Sequence, residues 1–540
     1  RQEALPFDYV IVGAGTAGSV IANRLTEDEN VNVLLIEAGG DPPVEAVVPG
    51  CNIFLQKSRL DWNYTAENDE YSKKCHLKPF AELSLGNMLG GTSSLNYMLY
   101  SRGHPTDYDN WANITKDSTW EWENVLPYFK KSERIEDPDF LKSADMRNHG
   151  SDGLMGLTKD DRKHVDDILK GFNELGSDIV NDPVSGLGYS KALLNIATGG
   201  RQSSSFAFLT PVKDRKNLHV LKNSLVTKVN FDENKNAVGV EVILEDGKTI
   251  TIKATKEVIV SAGTFNSAKL LMLSGIGLKK DLEHKKINVI SDLPVGKNLQ
   301  DHIGVIITHA MEKSEPSPLN PNQLPPSPMI GYTALDKSQN YPDYETMSFS
   351  SHANLILFYC SFAYRLSYEI CDKNYESMMG RMGLFNEIVH LHPKSRGEVT
   401  LRSLNPTEPP MISTGYFSDE TDLDDLVKYI KDFIPVVNTT HFKSVGAEMV
   451  DFKLGSCGEF EKGSDEYYKC YASCMFNGLS NFVGTCTMGS VVDSRLRVIG
   501  VQRLRVADAS IMPVITRGNT NGPVIMIGEK AADFIKEDYK

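Results

Sequence analysis

The chain has 540 residues, of which 57 are Lys or Arg and 71 are Asp or Glu, so its formal net charge at pH 7 is −14. Hydrophobic residues make up 41% of the chain and aromatic residues 9%, which excludes a disordered or collagen-like protein. No nucleic-acid partner is expected, because the acidic balance would repel phosphates. No membrane insertion is expected either, because the longest strongly apolar stretch, residues 354–364, is about half of the roughly 20 residues that a bilayer span needs.

The first forty residues carry the clearest pattern. Residues 9–12 form an apolar, β-branched run that is typical of a buried parallel strand, and a glycine-rich turn follows at once. A helical stretch at residues 19–25 and a second apolar strand at residues 31–36 come next, and that strand ends on Glu37. This order of strand, glycine turn, helix, strand and acid predicts a dinucleotide-binding fold, without choosing between NAD and FAD.

Each residue of this pattern has a physical role. Gly13 permits the tight turn, Gly15 lets the backbone approach a pyrophosphate, and Gly18 lets the helix pack closely on the strand. The free N–H groups at the start of the helix attract phosphate. The Glu37 carboxylate can accept hydrogen bonds from both ribose hydroxyls, and it would repel a 2′-phosphate.

Later segments carry weaker signals. Residues 89–98 combine two glycines with three hydroxyl residues, which predicts a second ligand-facing loop and a hydroxyl N-cap before an apolar helix. Residues 226–231 and 238–244 alternate around a turn and predict a hairpin. Residues 258–261 predict the end of a buried strand that runs into a loop at residues 262–267, where a cofactor contact is expected.

The second half of the chain begins with a change of character. Residues 314–329 are rich in Pro, Ser and Asn and lack periodicity, which predicts a long loop, either a lid over a site or a tolerated surface insertion. Residues 396–402 predict a hairpin strand, and residues 422–434 predict a core-facing helix.

Cysteine spacing favours a secreted, disulfide-bonded protein. Seven of the eight cysteines lie in three groups: Cys51 with Cys75, Cys360 with Cys371, and Cys457 with Cys470 and Cys474. This spacing suits local disulfides, but eight cysteines leave the connectivity open, and buried free thiols are the alternative. No spacing indicates a metal site. The chain begins without an initiator Met, which fits either a removed upstream segment such as a signal peptide or a sequence that starts inside the gene. Three sequons permit glycosylation: Asn63, Asn113 and Asn438.

Motifs spread over nearly the whole chain carry a family resemblance. Besides the N-terminal pattern they comprise residues 89–96, 263–277, 295–302 and 504–521. Together they resemble the glucose-methanol-choline (GMC) oxidoreductases, a family of FAD enzymes, in its insect, lepidopteran branch. The resemblance implies FAD as the cofactor. It also implies an α/β fold, in which a Rossmann-like FAD-binding domain carries an α+β substrate domain whose antiparallel sheet covers the flavin.

The resemblance further implies domain limits and cofactor contacts. The FAD-binding domain would consist of residues 1–165, 200–312 and 478–540, and the substrate-binding domain of residues 166–199 and 313–477. The predicted cofactor-binding residues are Gly13, Gly15, Thr16, Ala17, Gly18, Glu37, Ala38, Leu89, Gly91, Thr92, Ser94, Asn96, Val226, Asp508 and Ala509.

The chain departs from the family at the catalytic base. Family members carry a His just before a Gly-Thr-Cys-x-Met-Gly block and pair it with a second His or Asn near the C terminus. Here these positions hold Asn481 and Asn521, and the last histidine of the sequence is His441. Loss of a general base typically lowers the rate by about 10²–10⁴, whereas amides still orient an oxygen by hydrogen bonds. We therefore predict that Asn481 and Asn521 are catalytic residues that bind or polarise the substrate.

A second departure precedes the glycine pair. Family members carry basic residues there, whereas residues 84–87 are uncharged in this chain. Less positive charge should make a reduced, anionic flavin less stable, unless another part of the fold supplies the charge.

These departures favour a redox-neutral reaction on a retained FAD scaffold. The resemblance to the lepidopteran branch suggests dehydration of a polyunsaturated fatty acid hydroperoxide to the keto fatty acid, because a hydroperoxide carries its own oxidant in the O–O bond. The alternative is an FAD-dependent alcohol oxidase or dehydrogenase of the ecdysone oxidase or glucose dehydrogenase type, with His302, His390 or His392 as the available imidazoles. A hexenal isomerase and a non-catalytic FAD protein are further alternatives. Every interpretation has a small-molecule partner and a secreted location.

Overall fold

The computed structural model describes residues 6–67, 75–78, 80–159, 165–182, 186–313 and 328–540. Its two large sheets contain fourteen strands: β1 (Phe7–Val12), β2 (Val33–Ile36), β3 (Gly188–Lys191), β4 (Leu218–Leu221), β5 (Leu225–Phe231), β6 (Ala237–Ile243), β7 (Thr249–Val260), β8 (Ile303–Lys313), β9 (Met329–Thr333), β10 (Tyr344–His352), β11 (Arg381–His390), β12 (Glu448–Met449), β13 (Phe476–Gly478) and β14 (Leu504–Val506).

The longer helices of the described residues are α1 (Thr16–Leu25), α2 (Pro105–Thr115), α3 (Trp122–Ser132), α4 (Asp166–Asn173), α5 (Gly263–Leu273), α6 (Tyr368–Met378), α7 (Thr421–Phe433), α8 (Asp465–Met475) and α9 (Asn521–Asp538). Shorter helices span Val44–Val47, Asn52–Leu55, Lys279–His284, Ala353–Phe358 and Thr440–Ser444. Short strands outside the large sheets are Tyr64–Thr65, Glu82–Leu83, Glu133–Ile135, Met155–Lys159, Leu193–Leu194, Ile196–Ala197, Gly200–Arg201, Ile276–Gly277, Ser291–Asp292, Glu398–Thr400 and Met411–Ser413. No described helix combines the length and apolarity needed to cross a membrane.

The first sheet has a parallel centre, with strand order β4-β2-β1-β7-β6-β5 and β14 paired with the C-terminal half of β7. Strand β1 lies parallel to both β2 and β7, and its residues Val10 and Ile11 are fully buried. Helix α1 leaves β1 through the glycine turn and packs against α9. Burial on both faces explains why these strands are continuous apolar runs, and the Rossmann-like prediction is confirmed.

The second sheet is antiparallel, with strand order β12-β8-β11-β10-β9-β3 and β13 paired with β8. Helices α7 and α8 pack against each other, α7 contacts β11 and α8 contacts β8, so both helices lie on this sheet. The predicted antiparallel sheet and the predicted helix at residues 422–434, which is α7, are confirmed.

Several predicted elements differ from the structure. Strand β8 pairs into the second sheet, whereas the predicted FAD-binding domain extends to residue 312. The sequence of an apolar run such as residues 303–307 does not show which sheet the strand joins, because strand pairing depends on residues far apart in the chain. Residues 262–267 are the start of α5, not a loop. Residues 91–94 form a single 3₁₀ turn without a side-chain cap, where a capped helix was predicted.

Other predictions are confirmed. Strands β5 and β6 form the predicted hairpin, and Glu398–Thr400 pairs antiparallel with Met411–Ser413. Of the predicted long loop at residues 314–329, either a lid or a surface insertion, residues 314–327 lie outside the described residues, and the last residue begins β9.

Two of the three disulfides are local, and one is not. Cys360 pairs with Cys371 and Cys457 with Cys470. The third disulfide joins Cys75 to Cys474, across a sequence separation of 399 residues. The two cysteines without a disulfide are Cys51 and Cys486. Cys51 and Cys75, which flank one short segment of the sequence, therefore do not pair.

Candidate active site

The turn between β1 and α1 forms one wall of a large cavity. Gly13 adopts φ +99°, and a Cβ there would lie 2.4 Å from the Ser261 carbonyl oxygen. A Cβ at Gly18 would lie 1.9 Å from the Gly13 carbonyl oxygen, so this glycine serves helix packing. Gly15 is different, because a Cβ there would have its nearest neighbours, the Gly91 Cα and the Ser261 carbonyl oxygen, 3.9 Å and 4.0 Å away. Gly15 also lines the cavity. The turn therefore leaves open backbone where a pyrophosphate is expected.

Glu37 closes the end of this wall. It is 6% exposed, and its two carboxylate oxygens accept hydrogen bonds from the backbone N–H groups of Ala14 and Gly39, each at 2.9 Å. Burial raises the pKa of Glu37 to about 7. Glu37 and Ala38 both line the cavity, so the carboxylate is held where ribose hydroxyls would donate to it.

A second glycine turn faces the first. Gly91 adopts φ +52°, and a Cβ there would lie 2.8 Å from the Gly15 Cα, so the two turns pack backbone against backbone. Gly91, Thr92 and Asn96 line the cavity. Leu89 and Ser94 do not line it, although the sequence predicted that they would contact the cofactor. They border a separate groove instead, because Ser94 Oγ turns back to donate to the Leu89 carbonyl oxygen at 2.8 Å.

The C-terminal segment supplies a third wall. Asp508 follows β14, and its Oδ2 accepts hydrogen bonds from the Gly263 N–H at 2.9 Å and from Ser267 Oγ at 2.5 Å. Asp508 thereby ties the start of α5 to this wall. Thr16, Ala17, Val226, Asp508 and Ala509 all line the cavity, and of the predicted cofactor residues only Gly18, Leu89 and Ser94 do not.

The cavity has a volume of about 400 Å³ and extends from these glycine turns to the second sheet. Two cross-strand pairs of that sheet line it, Phe349 with Phe385 and Met347 with Glu387. The rings of Phe349 and Phe385 stack with their centroids 5.0 Å apart. Tyr364 lines the same region. We call these five residues the roof; it is largely apolar, with one carboxylate.

Asn481 and Asn521, the two predicted catalytic residues, both line the cavity. Asn481 is 8% exposed, and its backbone N–H donates to Asp301 Oδ1 at 2.6 Å. Its side-chain Nδ2 lies 3.1 Å from His302 Nδ1. Asn521 begins α9, and its Nδ2 donates to Asn195 Oδ1 at 3.3 Å. Both amides are thus oriented by neighbours while facing the cavity.

The three histidines that the sequence offered as imidazoles for alcohol oxidation, His302, His390 and His392, all lie outside the cavity lining. His302 is fully buried, does not line the cavity, and has its pKa lowered to about 3 by burial. It therefore acts as a neutral partner that orients Asn481. His390 and His392 do not line the cavity either. The one imidazole among the described lining residues is His76, which the sequence analysis did not single out. His76 is tied to the core through the neighbouring Cys75–Cys474 disulfide.

Positive charge reaches the cavity from other segments. Ser84, Leu85 and Gly86 line it and are uncharged, but so do Lys57, Lys78, Lys269 and Arg365. Glu82 lies 2.8 Å from Lys78 Nζ and 3.3 Å from Arg365 Nε, which offsets part of that charge. The sequence argument from residues 84–87 therefore does not describe the cavity as a whole.

Family models settle the relationship. Residues 7–304 match the N-terminal model and residues 393–528 the C-terminal model of the GMC oxidoreductases. The chain belongs to the GMC oxidoreductase family. This GMC protein is 39% identical to ecdysone oxidase of Spodoptera littoralis, over 99% of this chain and 92% of the relative. It is 38% identical to ecdysone oxidase of Bombyx mori, over 100% and 83%, and 34% identical to glucose dehydrogenase (FAD, quinone) of Drosophila melanogaster, over 99% and 87%.

Solved structures agree with this assignment. A formate oxidase from Aspergillus oryzae, studied for FAD modification, superposes with a TM-score of 0.85 at 26% identity, over 100% of this chain and 99% of that chain. Pyridoxine 4-oxidase from Mesorbium loti gives a TM-score of 0.84 at 26% identity, over 99% of each chain. FAD is the cofactor of this GMC protein. The cavity fits it, because open glycine backbone and a buried acid lie at one end and two amides line the same space.

Proposed function

We propose that this GMC protein oxidises a hydroxyl group of a largely apolar small molecule, such as a steroid or lipid alcohol, with FAD as the oxidant. The observation that carries the proposal is the roof. Four of its five members are aromatic or aliphatic side chains, apart from the Tyr364 hydroxyl, and the roof lies in the same cavity as the predicted FAD cradle. A sugar would leave its hydroxyls without partners against such a surface. The ecdysone oxidase relatives support the same substrate class.

The residues that would hold FAD follow from the cavity walls. Gly13, Gly15, Thr16 and Ala17 would face the pyrophosphate, and Glu37 would accept from the ribose. Asp508 and Ala509 would close over the cofactor from the third wall. Bound FAD supplies the acceptor for a hydride that leaves the substrate carbon.

The two amides would then handle the substrate oxygen. Asn481 and Asn521 both line the cavity, and each amide group is oriented by a protein neighbour while it retains a second N–H that could donate to a substrate oxygen. Donors held in place before the reaction are worth more than donors that must reorganise. The roof would exclude water from the oxygen while the C–H bond breaks.

A second candidate function rests on one observation. The family's base position holds Asn481, which does not titrate. Dehydration of a polyunsaturated fatty acid hydroperoxide needs no external electron acceptor, because the O–O bond is the oxidant: the C–H proton and the departing hydroxide leave as water while an amide hydrogen-bonds the departing oxygen. The apolar roof also suits a fatty acyl chain. The ecdysone oxidase and glucose dehydrogenase relatives favour alcohol oxidation, so dehydration ranks second.

One experiment separates the two functions. The oxidised, FAD-loaded protein is mixed anaerobically with ecdysone, a long-chain alcohol, glucose and a polyunsaturated fatty acid hydroperoxide, each in a separate run. We expect the flavin absorbance to bleach with a steroid or lipid alcohol and to persist with glucose. Loss of hydroperoxide with formation of ketone, no bleaching by any alcohol and no oxygen uptake in air would instead establish the second function.

We also propose a secreted location. The three disulfides support it, because such bonds persist in oxidising compartments. All three sequon asparagines, Asn63, Asn113 and Asn438, are exposed. Peptide:N-glycosidase treatment of protein from insect cells should lower its mass if the sequons are occupied, and an unchanged mass would remove that support.

A further inference from the structure

We propose that Glu387 is the catalytic base of this GMC protein and takes the hydroxyl proton that the family's imidazole takes in its relatives. The proposal rests on the proposed alcohol oxidation. It starts from the position of Glu387 in the roof, on β11, opposite Met347 and two residues from Phe385.

Four carboxylates line the cavity among the described residues, and three of them are already engaged. Glu37 accepts two backbone N–H groups at the ribose end of the cradle. Glu82 lies against Lys78 and Arg365, and Asp508 accepts from the start of α5. The fourth, Glu387, has no cation within ion-pair distance in the described part of the chain, and it is the one carboxylate of the four that belongs to the roof. Glu37 also lacks a cation among those residues, but it lies at the ribose end of the cradle, so Glu387 is the carboxylate placed to receive a substrate proton.

A glycine directs the Glu387 side chain. Gly304 on β8 lies opposite Asn477 of β13, and Ile306, two residues along β8, lies opposite Glu387. A Cβ at Gly304 would lie 2.6 Å from Glu387 Oε1, so any larger residue would displace the carboxylate. Because Gly304 has no side chain, the Glu387 side chain lies over β8 towards β13. The chain that leaves β13 reaches Asn481 three residues later.

The surroundings of Glu387 suit a group that exchanges a proton near neutral pH. Tyr364 Oη donates to Glu387 Oε2 at 3.1 Å. Burial raises the pKa of Glu387 to about 7, the nearby Asp301 carboxyl raises it further, and the hydroxyl of Tyr364 and the amide of Asn477 oppose the rise. The charge of Glu387 in turn raises the pKa of two other groups, Glu345 and Tyr97.

The proposed step is balanced. The substrate O–H proton passes to Glu387 as the C–H hydrogen leaves with its electron pair for FAD. The alcohol becomes a carbonyl compound and FAD is reduced by two electrons. Asn481 or Asn521 hydrogen-bonds the substrate oxygen, and Glu387 afterwards releases its proton to solvent. Dioxygen or a quinone then reoxidises the cofactor.

The test is the pH dependence of flavin bleaching by the alcohol identified above, in single-turnover, anaerobic mixing. In the wild type we expect the rate to rise with pH through about 7, because only the ionised carboxylate accepts a proton. Glu387→Gln should lower the rate by about 10²–10⁴ and abolish that inflection. Glu387→Asp keeps a carboxylate one methylene short and should give an intermediate rate that retains the inflection. Gly304→Ala, which displaces the carboxylate without removing it, should also slow bleaching.

Two controls separate the base from its surroundings. Glu345→Gln removes a buried carboxyl group on the neighbouring strand β10. Glu345 does not line the cavity, so the bleaching rate and its pH inflection should persist. His76→Gln removes the cavity imidazole, and the inflection should persist as well. A Glu387→Gln protein that bleaches at the wild-type rate, or an inflection lost only with His76→Gln, would overturn the assignment while leaving alcohol oxidation intact. A wild type that no alcohol bleaches would overturn the proposed function, and with it this role of Glu387.

Discussion

Gly15 and Gly18 lie three residues apart, and their substitution by alanine should have opposite consequences. At Gly15 a new Cβ would meet its nearest protein atoms at 3.9 Å and 4.0 Å, which is ordinary contact. The backbone there has φ −76°, which alanine adopts without strain. Gly15→Ala should therefore leave the FAD-free protein as stable as the wild type, or about 0.4–1 kcal/mol more stable, because alanine restricts the unfolded chain.

The methyl group of Gly15→Ala should, however, weaken the binding of FAD. It would enter the cavity between the two glycine turns, where the pyrophosphate is proposed to bind. Overpacking of this size costs about 1–3 kcal/mol, which corresponds to a FAD dissociation constant about 5- to 150-fold higher. Gly18→Ala is the matched control. Its Cβ would lie 1.9 Å from the Gly13 carbonyl oxygen, so we expect a loss of at least about 1–3 kcal/mol in folding stability.

The assay measures both quantities on each variant. Thermal unfolding of the FAD-free protein reports folding, and titration of that protein with FAD, followed by flavin fluorescence, reports affinity. The expected pattern is normal unfolding with weak FAD binding for Gly15→Ala, and early unfolding for Gly18→Ala. Wild-type FAD affinity in a folded Gly15→Ala protein would show that the pyrophosphate does not lie against Gly15.

Three further predictions address the oxygen site, buried charge and disulfides. Asn481→Ala should lower kcat/KM by about 10²-fold while flavin content stays unchanged, and unaltered kinetics would remove Asn481 from the site. Burial raises the pKa of Glu345 to about 8, so the folded state holds its proton more tightly than the unfolded state; that stabilising contribution is present below about pH 4 and is lost as the pH rises through 8. Between pH 5 and pH 8.5 the free energy of unfolding of the Glu345→Gln protein, measured with denaturant, should therefore rise relative to that of the wild type by several kcal/mol, at about 1.4 kcal/mol per pKa unit. A difference between the two proteins that does not change with pH would contradict this. Loss of the Cys75–Cys474 bond, which spans 399 residues, should destabilise more than loss of Cys360–Cys371, which spans 11, because chain entropy gives about 6 against about 3 kcal/mol; the reverse order in thermal unfolding of Cys75→Ser and Cys360→Ser would refute this reasoning.

Local patterns in the sequence were enough to predict the nucleotide-binding end. The first strand, the glycine turn, α1 and Glu37 are neighbours both along the chain and in space, so their spacing already encodes their geometry. The absence of an imidazole at position 481 is likewise a property of the sequence alone. The hydroxyl pattern did not encode which way Ser94 points: its Oγ donates to the Leu89 carbonyl oxygen, and both residues border the separate groove, so their predicted contact with the cofactor stays a prediction.

The reaction end of the cavity depends on tertiary structure. Strand register places Glu387 beside the bare Gly304, and sheet pairing carries β8, whose first residue follows His302, into the second sheet. The sequence alone determined the family pattern, the cofactor fold and the loss of the usual base, because these depend on residues at short, set spacings. Only the tertiary structure decided which carboxylate could replace that base, which cations reach the cavity and which cysteines pair, because each depends on contacts between residues far apart in the chain.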